Sequence, residues 1–201
     1  MKTNLKIAYI NHEMAKFSCE AFHYSKSIPG GKLVKFGVWE NDKFIGAVLF
    51  GSGVCPQIGN KYKLDQTQIC ELVRVALNKH DTPVTRIISI CLKMLKKDFP
   101  SLKIIVSYAD KDQGHEGIIY RAGNWYLDGI SNENKKGNSY IINGEKIHSR
   151  TLHKKYGVNS LKINWLRENI DPKADFWLNK GKYKFLYFFD EELKKKYGFS
   201  N

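Results

Sequence analysis

The chain has 201 residues, 42% hydrophobic and 26% charged, which is long enough for one domain with a real core and too apolar for wholesale disorder. Its 33 Lys and Arg against 20 Asp and Glu leave a net charge of +13, a field that draws polyanions, nucleic acid first, unless the basic balance serves solubility alone. No apolar run approaches the ~20 residues of a membrane span, the start lacks a signal-peptide pattern, and Cys19, Cys55, Cys70 and Cys91 lack zinc-ligand spacing, so an intracellular protein with reduced cysteines and no structural zinc is expected.

In chain order, "LKIAYI" reads as a strand. "HEMAKFSCEAFHYS" follows as a helix with Met14, Phe17, Cys19, Ala21 and Phe22 at helical spacing. Pro29 and the Gly30-Gly31 pair break regular structure, and "KLVKFGVWENDKFIGAVLFGSG" is an antiparallel hairpin turning at "ENDK". The strand "QICELVRVAL" puts Ile69, Glu71, Val73 and Val75 on one face and Cys70, Leu72, Arg74 and Ala76 on the other. By that alternation Glu71 and Arg74 face opposite ways and need different partners. "DTPVTRIISICLKMLKKDF" is a helix capped by Asp81 or Thr82, with Pro83 in its first turn and Ile87, Ile88, Cys91, Leu92 and Leu95 on its apolar side. Its N-terminus is expected to present bare N–H groups. "LKIIVSYAD" is a buried strand, "GHEGIIYRAGN" a short helix and "WYLDG" another strand.

This order resembles the acyl-CoA-dependent N-acetyltransferase (GNAT) superfamily, so an α/β fold with a mixed central sheet flanked by helices is expected over one domain, residues 1–201. In that superfamily the junction after the fourth strand carries a glycine-rich pyrophosphate loop, and "ALNKHDTPVTR" has no glycine. Residues 131–180 read as a basic, partly helical insertion before the last strand, "KYKFLYFF", and its charged helical tail. Lys135, Lys136, Lys146, Arg150, Lys154 and Lys155 there form a candidate phosphate-contacting surface. "SRTLHKKYGVNSLKINWLRENI" fits two short helices around Gly157, either a helix-turn-helix or a hairpin that only packs on the core.

Candidate chemistry gathers where open α/β sheets bind ligands, beyond the C-terminal strand ends. Asp110 ends its strand after Ser107 and Tyr108, and the Tyr120 phenol returns one helix later. Asp110 serves equally as a cap or Asx-turn residue, while His115 and Glu116 read as capping and exposed. His23 and Tyr24 sit at a helix end. With Asp110 they make a donor set suited to iron, although such a pair is also a common structural feature.

On "FHYSKSIPGG", "ELVRVALN", "SYADKDQGHEGIIYRAGNWYLDG", "HSRTLHKKYG" and "KYKFLYFF", in that order, the sequence resembles the Mom family of phage DNA-modification proteins. The resemblance implies a GNAT-like transferase that adds a carbamoylmethyl group to the exocyclic amine of adenine in double-stranded DNA, in the cytoplasm of an infected bacterium, against restriction endonucleases. It implies His23, Tyr24 and Asp110 as iron ligands and Glu71, Arg74 and Tyr120 as active-centre residues; Ser107 is a catalytic candidate from its place at the strand end. It also implies acetyl-CoA as donor, with another activated small-molecule or aminoacyl donor open. Reaching the amine requires base flipping, for which Trp39, Tyr108 and Trp125 are stacking candidates beside their packing roles. The competing expectations are a GNAT acyltransferase acting on a small amine or protein, and a non-catalytic DNA-binding protein.

Overall fold

The structure is a computed structural model that describes residues 4–52 and 57–198; Cys55 lies outside them. The chain forms two compact units, one of residues 1–109, 116–129 and 183–201 and the other of residues 110–115 and 130–182.

The first unit is built on a seven-stranded sheet: β1 (Leu5–Tyr9), β2 (Leu33–Glu40), β3 (Lys43–Gly51), β4 (Ile69–Leu77), β5 (Ile104–Asp110), β6 (Tyr126–Ser131) and β10 (Lys182–Phe188), in the order β1-β2-β3-β4-β5-β10-β6. Strands β1 to β4 pair antiparallel, and β4 with β5 is parallel, as the crossover helix between them requires. The two faces follow from alternation along β3. Ala47 and Leu49 pack under α1 (His12–Phe22) with Ala15, Cys19 and Ala76. Val48 and Phe50 pack under α2 (Val84–Asp98) with Ile87, Ile88, Cys91, Leu92 and Leu95. Small residues on the α1 face let that helix approach closely, and the branched and aromatic residues on the α2 face supply most of the buried apolar area.

Two helix boundaries differ from expectation. The helix α1 stops at Phe22, so His23 follows it in extended backbone and Tyr24 lies in the turn that comes next. The N-cap of α2 is Pro83, without a side-chain cap bond, and Asp81 and Thr82 precede the cap.

The second unit has its own three-stranded sheet, β8-β7-β9, from β7 (Lys136–Ile142), β8 (Glu145–His148) and β9 (Asp175–Leu178). The hairpin β7–β8 turns on Asn143 and Gly144, both at positive φ, the signature of a two-residue type I′ turn. Around Gly157 stand α4 (Ser149–Tyr156), a 3-10 turn and α5 (Ile163–Asn169), with Leu152 and Leu166 packed on Tyr140, Ile142 and Ala174. A final helix, α6 (Glu191–Tyr197), is capped by Asp190. No helix among the described residues is long and apolar enough to cross a membrane.

Candidate active site

The central feature is an irregularity in β4. Phe50 pairs with Leu72 but Leu49 pairs with Arg74, so Val73 is an extra residue opposite a single step of β3. A bulge of this kind resets the alternation. Glu71 pairs with Gly51 and Arg74 with Leu49, two positions on one face of β3, so Glu71 and Arg74 share the α1 face instead of lying on opposite faces. The expectation failed because strict alternation holds only while the register is unbroken.

The same stretch parts from β5. The parallel ladder runs from Ile69 with Ile104 to Glu71 with Val106 and stops there. At the point of parting, the buried Ser107 hydroxyl donates to the Leu72 carbonyl at 2.9 Å and lies 2.8 Å from the Tyr120 hydroxyl. A carbonyl can only accept, so the single Ser107 proton is committed to Leu72 and the Tyr120 hydroxyl donates to Ser107 Oγ. Burial pushes the Tyr120 phenol up to about 12, with the fields of Tyr24 and Glu71 adding to the rise. At neutral pH this hydroxyl keeps its proton and is a donor.

Packing holds Tyr120 in place. It lies in α3 (Ile118–Arg121), a single turn, stacked on Phe185 at 5.0 Å and edge-on to Trp125 at 5.2 Å. That turn is entered through Gly117 at φ 74°, where a Cβ would lie 2.3 Å from the Phe185 ring. Only glycine satisfies both the backbone and the close approach.

Arg74 donates from Nη1 to the Val73 carbonyl at 2.7 Å, and its Nε is buried with no hydrogen-bond partner among the described residues. Its charge opposes the effect of burial, which raises the Cys19 thiol. A buried guanidinium N–H without an acceptor is costly, and an acceptor atom of a ligand would relieve it.

Two of the three proposed iron donors, His23 and Asp110, are engaged in other bonds. Ser25 N–H donates to His23 Nδ1 at 3.1 Å, and the Ser25 hydroxyl lies 2.8 Å from the same nitrogen. A backbone N–H can only donate, so the Nδ1 lone pair is occupied and the neutral ring carries its proton on Nε2. Asp110 accepts the Asp112 N–H at 3.0 Å on one oxygen, capping the turn that follows β5, and meets Lys182 at 3.1 Å on the other. Among the described residues no group of three or more His, Cys, Asp or Glu stands close enough to hold a metal ion.

The six candidate phosphate contacts, Lys135, Lys136, Lys146, Arg150, Lys154 and Lys155, are all exposed in the second unit. Lys146 is tied to Asp112 at 2.8 Å and lies 4.4 Å from the centre of the Trp177 ring, and Lys136 lies 4.2 Å from that of Phe176. Arg150 and Lys154 are one helical turn apart on α4. Lys136, Arg167, Phe176 and Trp177 line a concavity of about 740 Å³. His115 and Glu116 are exposed. Trp125 is core, whereas Trp39 is half-buried against Phe44 and Tyr108 packs beside Val106 and Leu186.

Sequence reasoning missed several buried carboxylates, Asp128 and Glu40 among them. Asp128 takes hydrogen bonds from Lys61 and Tyr62, the latter at 2.8 Å, with Lys184 at 3.2 Å. Burial alone would raise this carboxyl, but Lys61, Tyr62 and Lys184 together hold it below the usual carboxylate range. Glu40, also buried, accepts from Asp81 N at 2.9 Å, Thr82 N at 2.8 Å and Thr82 Oγ1 at 2.6 Å. Two of the N–H groups leading into α2, those of Asp81 and Thr82, are therefore not bare. The only local signals for either residue were an acid at a hairpin turn and one in a strand.

Compared with known proteins, residues 4–201 match the Mom protein family. This chain belongs to that family. It is 25% identical over 199 residues to the methylcarbamoylase Mom of Escherichia phage Mu, covering 96% of this chain and 78% of the relative. Among solved structures it is similar to the aminoglycoside acetyltransferase AAC(6')-Ib in complex with coenzyme A, with TM-score 0.53 and 8% identity over 96% of this chain and 98% of that one. It is also similar to the SpeG spermidine N-acetyltransferase of Vibrio cholerae, with TM-score 0.52 and 10% identity over 95% of both chains. The Mom-family chain thus has the mixed α/β fold of the N-acetyltransferases.

Proposed function

We propose that this Mom-family protein is a transferase that modifies adenine in double-stranded phage DNA, adding a carbamoylmethyl group to the exocyclic amine and so blocking restriction endonucleases. The observation that carries the reading is family membership over residues 4–201. The net charge of +13 and the exposed cations of the second unit support a DNA substrate.

The residues where β4 and β5 part supply the roles the reaction needs. The amine of adenine is a poor nucleophile because its lone pair is delocalised into the ring, so attack needs an activated donor and an acceptor for the amine proton. Glu71 is the acid-derived acceptor on that face. Tyr120, neutral at working pH, is the proton source for the leaving group once its hydroxyl turns from Ser107 Oγ towards the bound donor. Arg74 offers its unused Nε–H to a carbonyl or anionic oxygen of the bound donor.

The test is expression in a bacterial host, digestion of plasmid DNA to nucleosides, and mass spectrometry of the deoxyadenosine fraction, comparing the unmodified protein with Glu71→Gln. A carbamoylmethyl adduct with the former and its loss with the latter is the expected result. Absence of any adduct from soluble protein would overturn the reading.

A further inference from the structure

The fold is shared with an enzyme solved with coenzyme A, and a coenzyme diphosphate needs a cradle of free backbone N–H groups, most readily at a helix N-terminus. In this chain most of the N–H groups of the segment leading into α2 are already engaged. Asn78 N–H goes to the Ile45 carbonyl at 2.7 Å and Lys79 N–H to the Asn78 side chain at 2.8 Å. Asp81 and Thr82 N–H both go to Glu40, and Pro83, which has no N–H, is the N-cap. Within α2, the Arg86 and Ile87 N–H groups return to the Pro83 carbonyl. No glycine occurs between Asn78 and Pro83 to let a phosphate approach the backbone.

We infer that Glu40 is a built-in anion at the amino end of α2, and that it excludes a diphosphate there, so that this protein takes its group donor without a phosphate anchor at that helix. The inference concerns the donor of the reaction proposed above and rests on that reading. The glutamate takes up two of the backbone donors at that helix end, those of Asp81 and Thr82, and its negative charge there opposes that of a phosphate. The carboxylate is held by three hydrogen bonds and is 8% exposed, so a ligand cannot displace it without leaving it buried and unpaired. Glu40 is thus a specificity-determining residue that does not touch the reacting atoms. Selection among donors then depends on the reactive end, at Ser107, Tyr120 and Arg74.

The experiment is calorimetric titration of the full chain with coenzyme A, pantetheine and ADP. Pantetheine carries the thiol arm without the diphosphate. The expected result is that coenzyme A binds no more than about threefold tighter than pantetheine and that ADP does not saturate in the millimolar range. In Glu40→Gln, which keeps an acceptor oxygen and loses the charge, coenzyme A should gain about tenfold or more and ADP should compete with it. Coenzyme A bound at least about tenfold tighter than pantetheine by the unmodified protein, and displaced by ADP, would overturn the inference; so would a folded Glu40→Gln protein with no gain. Should that variant fail to fold, the comparison of coenzyme A with pantetheine on the unmodified chain decides. Unmodified plasmid adenine together with absent coenzyme binding would remove the proposed function and leave the exclusion by Glu40 intact.

Discussion

Replacing Tyr120 with Phe removes one hydroxyl and leaves the ring, its stack on Phe185 and its edge contact with Trp125 in place. The lost bond is the one donated to Ser107, whose own proton remains on the Leu72 carbonyl. No donor is orphaned, so the stability cost is that of a single buried neutral hydrogen bond, about 1 kcal/mol, or roughly 2–4 °C in melting temperature for a chain of this size. Activity should respond far more strongly. With the phenol pushed up to about 12, about one molecule in ten thousand is ionised at pH 8, so the hydroxyl acts as an acid. Removing a positioned general acid costs on the order of 10²–10⁴ in rate. The assay is the initial rate of adduct formation on deoxyadenosine, by mass spectrometry, beside a thermal melt of the same preparation. A rate within about threefold of the unmodified protein would refute the role, as would a fall in rate with rising pH that sets in well below 11.

Asp128→Asn should destabilise by roughly 2–4 kcal/mol, because the buried Lys184 and Tyr62 lose their carboxylate while the half-exposed Lys61 contributes little; a loss below about 1 kcal/mol in urea unfolding would contradict it. The Asp128 carboxyl is held below its unfolded value, so its contribution is present above about pH 4 and lost as pH falls further, and the difference between the two proteins should shrink in that acid window. Gly117→Ala combines left-handed backbone with a Cβ 2.3 Å from Phe185 and should cost about 2–4 kcal/mol, with loss of adduct formation as Tyr120 moves; an unchanged melt would refute the tight approach. If Lys135, Arg150, Lys154 and Lys155 contact phosphates, replacing all four with Ala should reduce the slope of log affinity for duplex DNA against log salt by about 3.6; an unchanged slope would remove that surface as the interface.

Much of the first unit was legible locally. The β2–β3 hairpin, the apolar stripe of α2 and the buried run of β5 are patterns of period 2 and 3.6, set by neighbours a few residues away. Ser107 and Tyr120 could be named from their places after an apolar strand and in the next helix, and the structure brings them together. The second unit was less legible. The basic residues of 131–157 drew attention to charge and helices, although "IINGEKIH" carries an Asn-Gly hairpin signal that marks β7 and β8.

The sequence by itself determined the element order of the first unit, the basic charge and the motifs that place the chain in the Mom family, because each depends on residue type and short spacing. Tertiary structure alone decided the rest. The face of Arg74 depends on where β3 slips past β4 at Val73, and no single strand carries its partner's register. Asp128 acquires its role from Lys61, Tyr62 and Lys184, and Glu40 from Asp81 and Thr82, each brought from tens of residues away. A buried carboxylate takes its meaning from the donors the fold gathers around it, and that gathering is a property of packing.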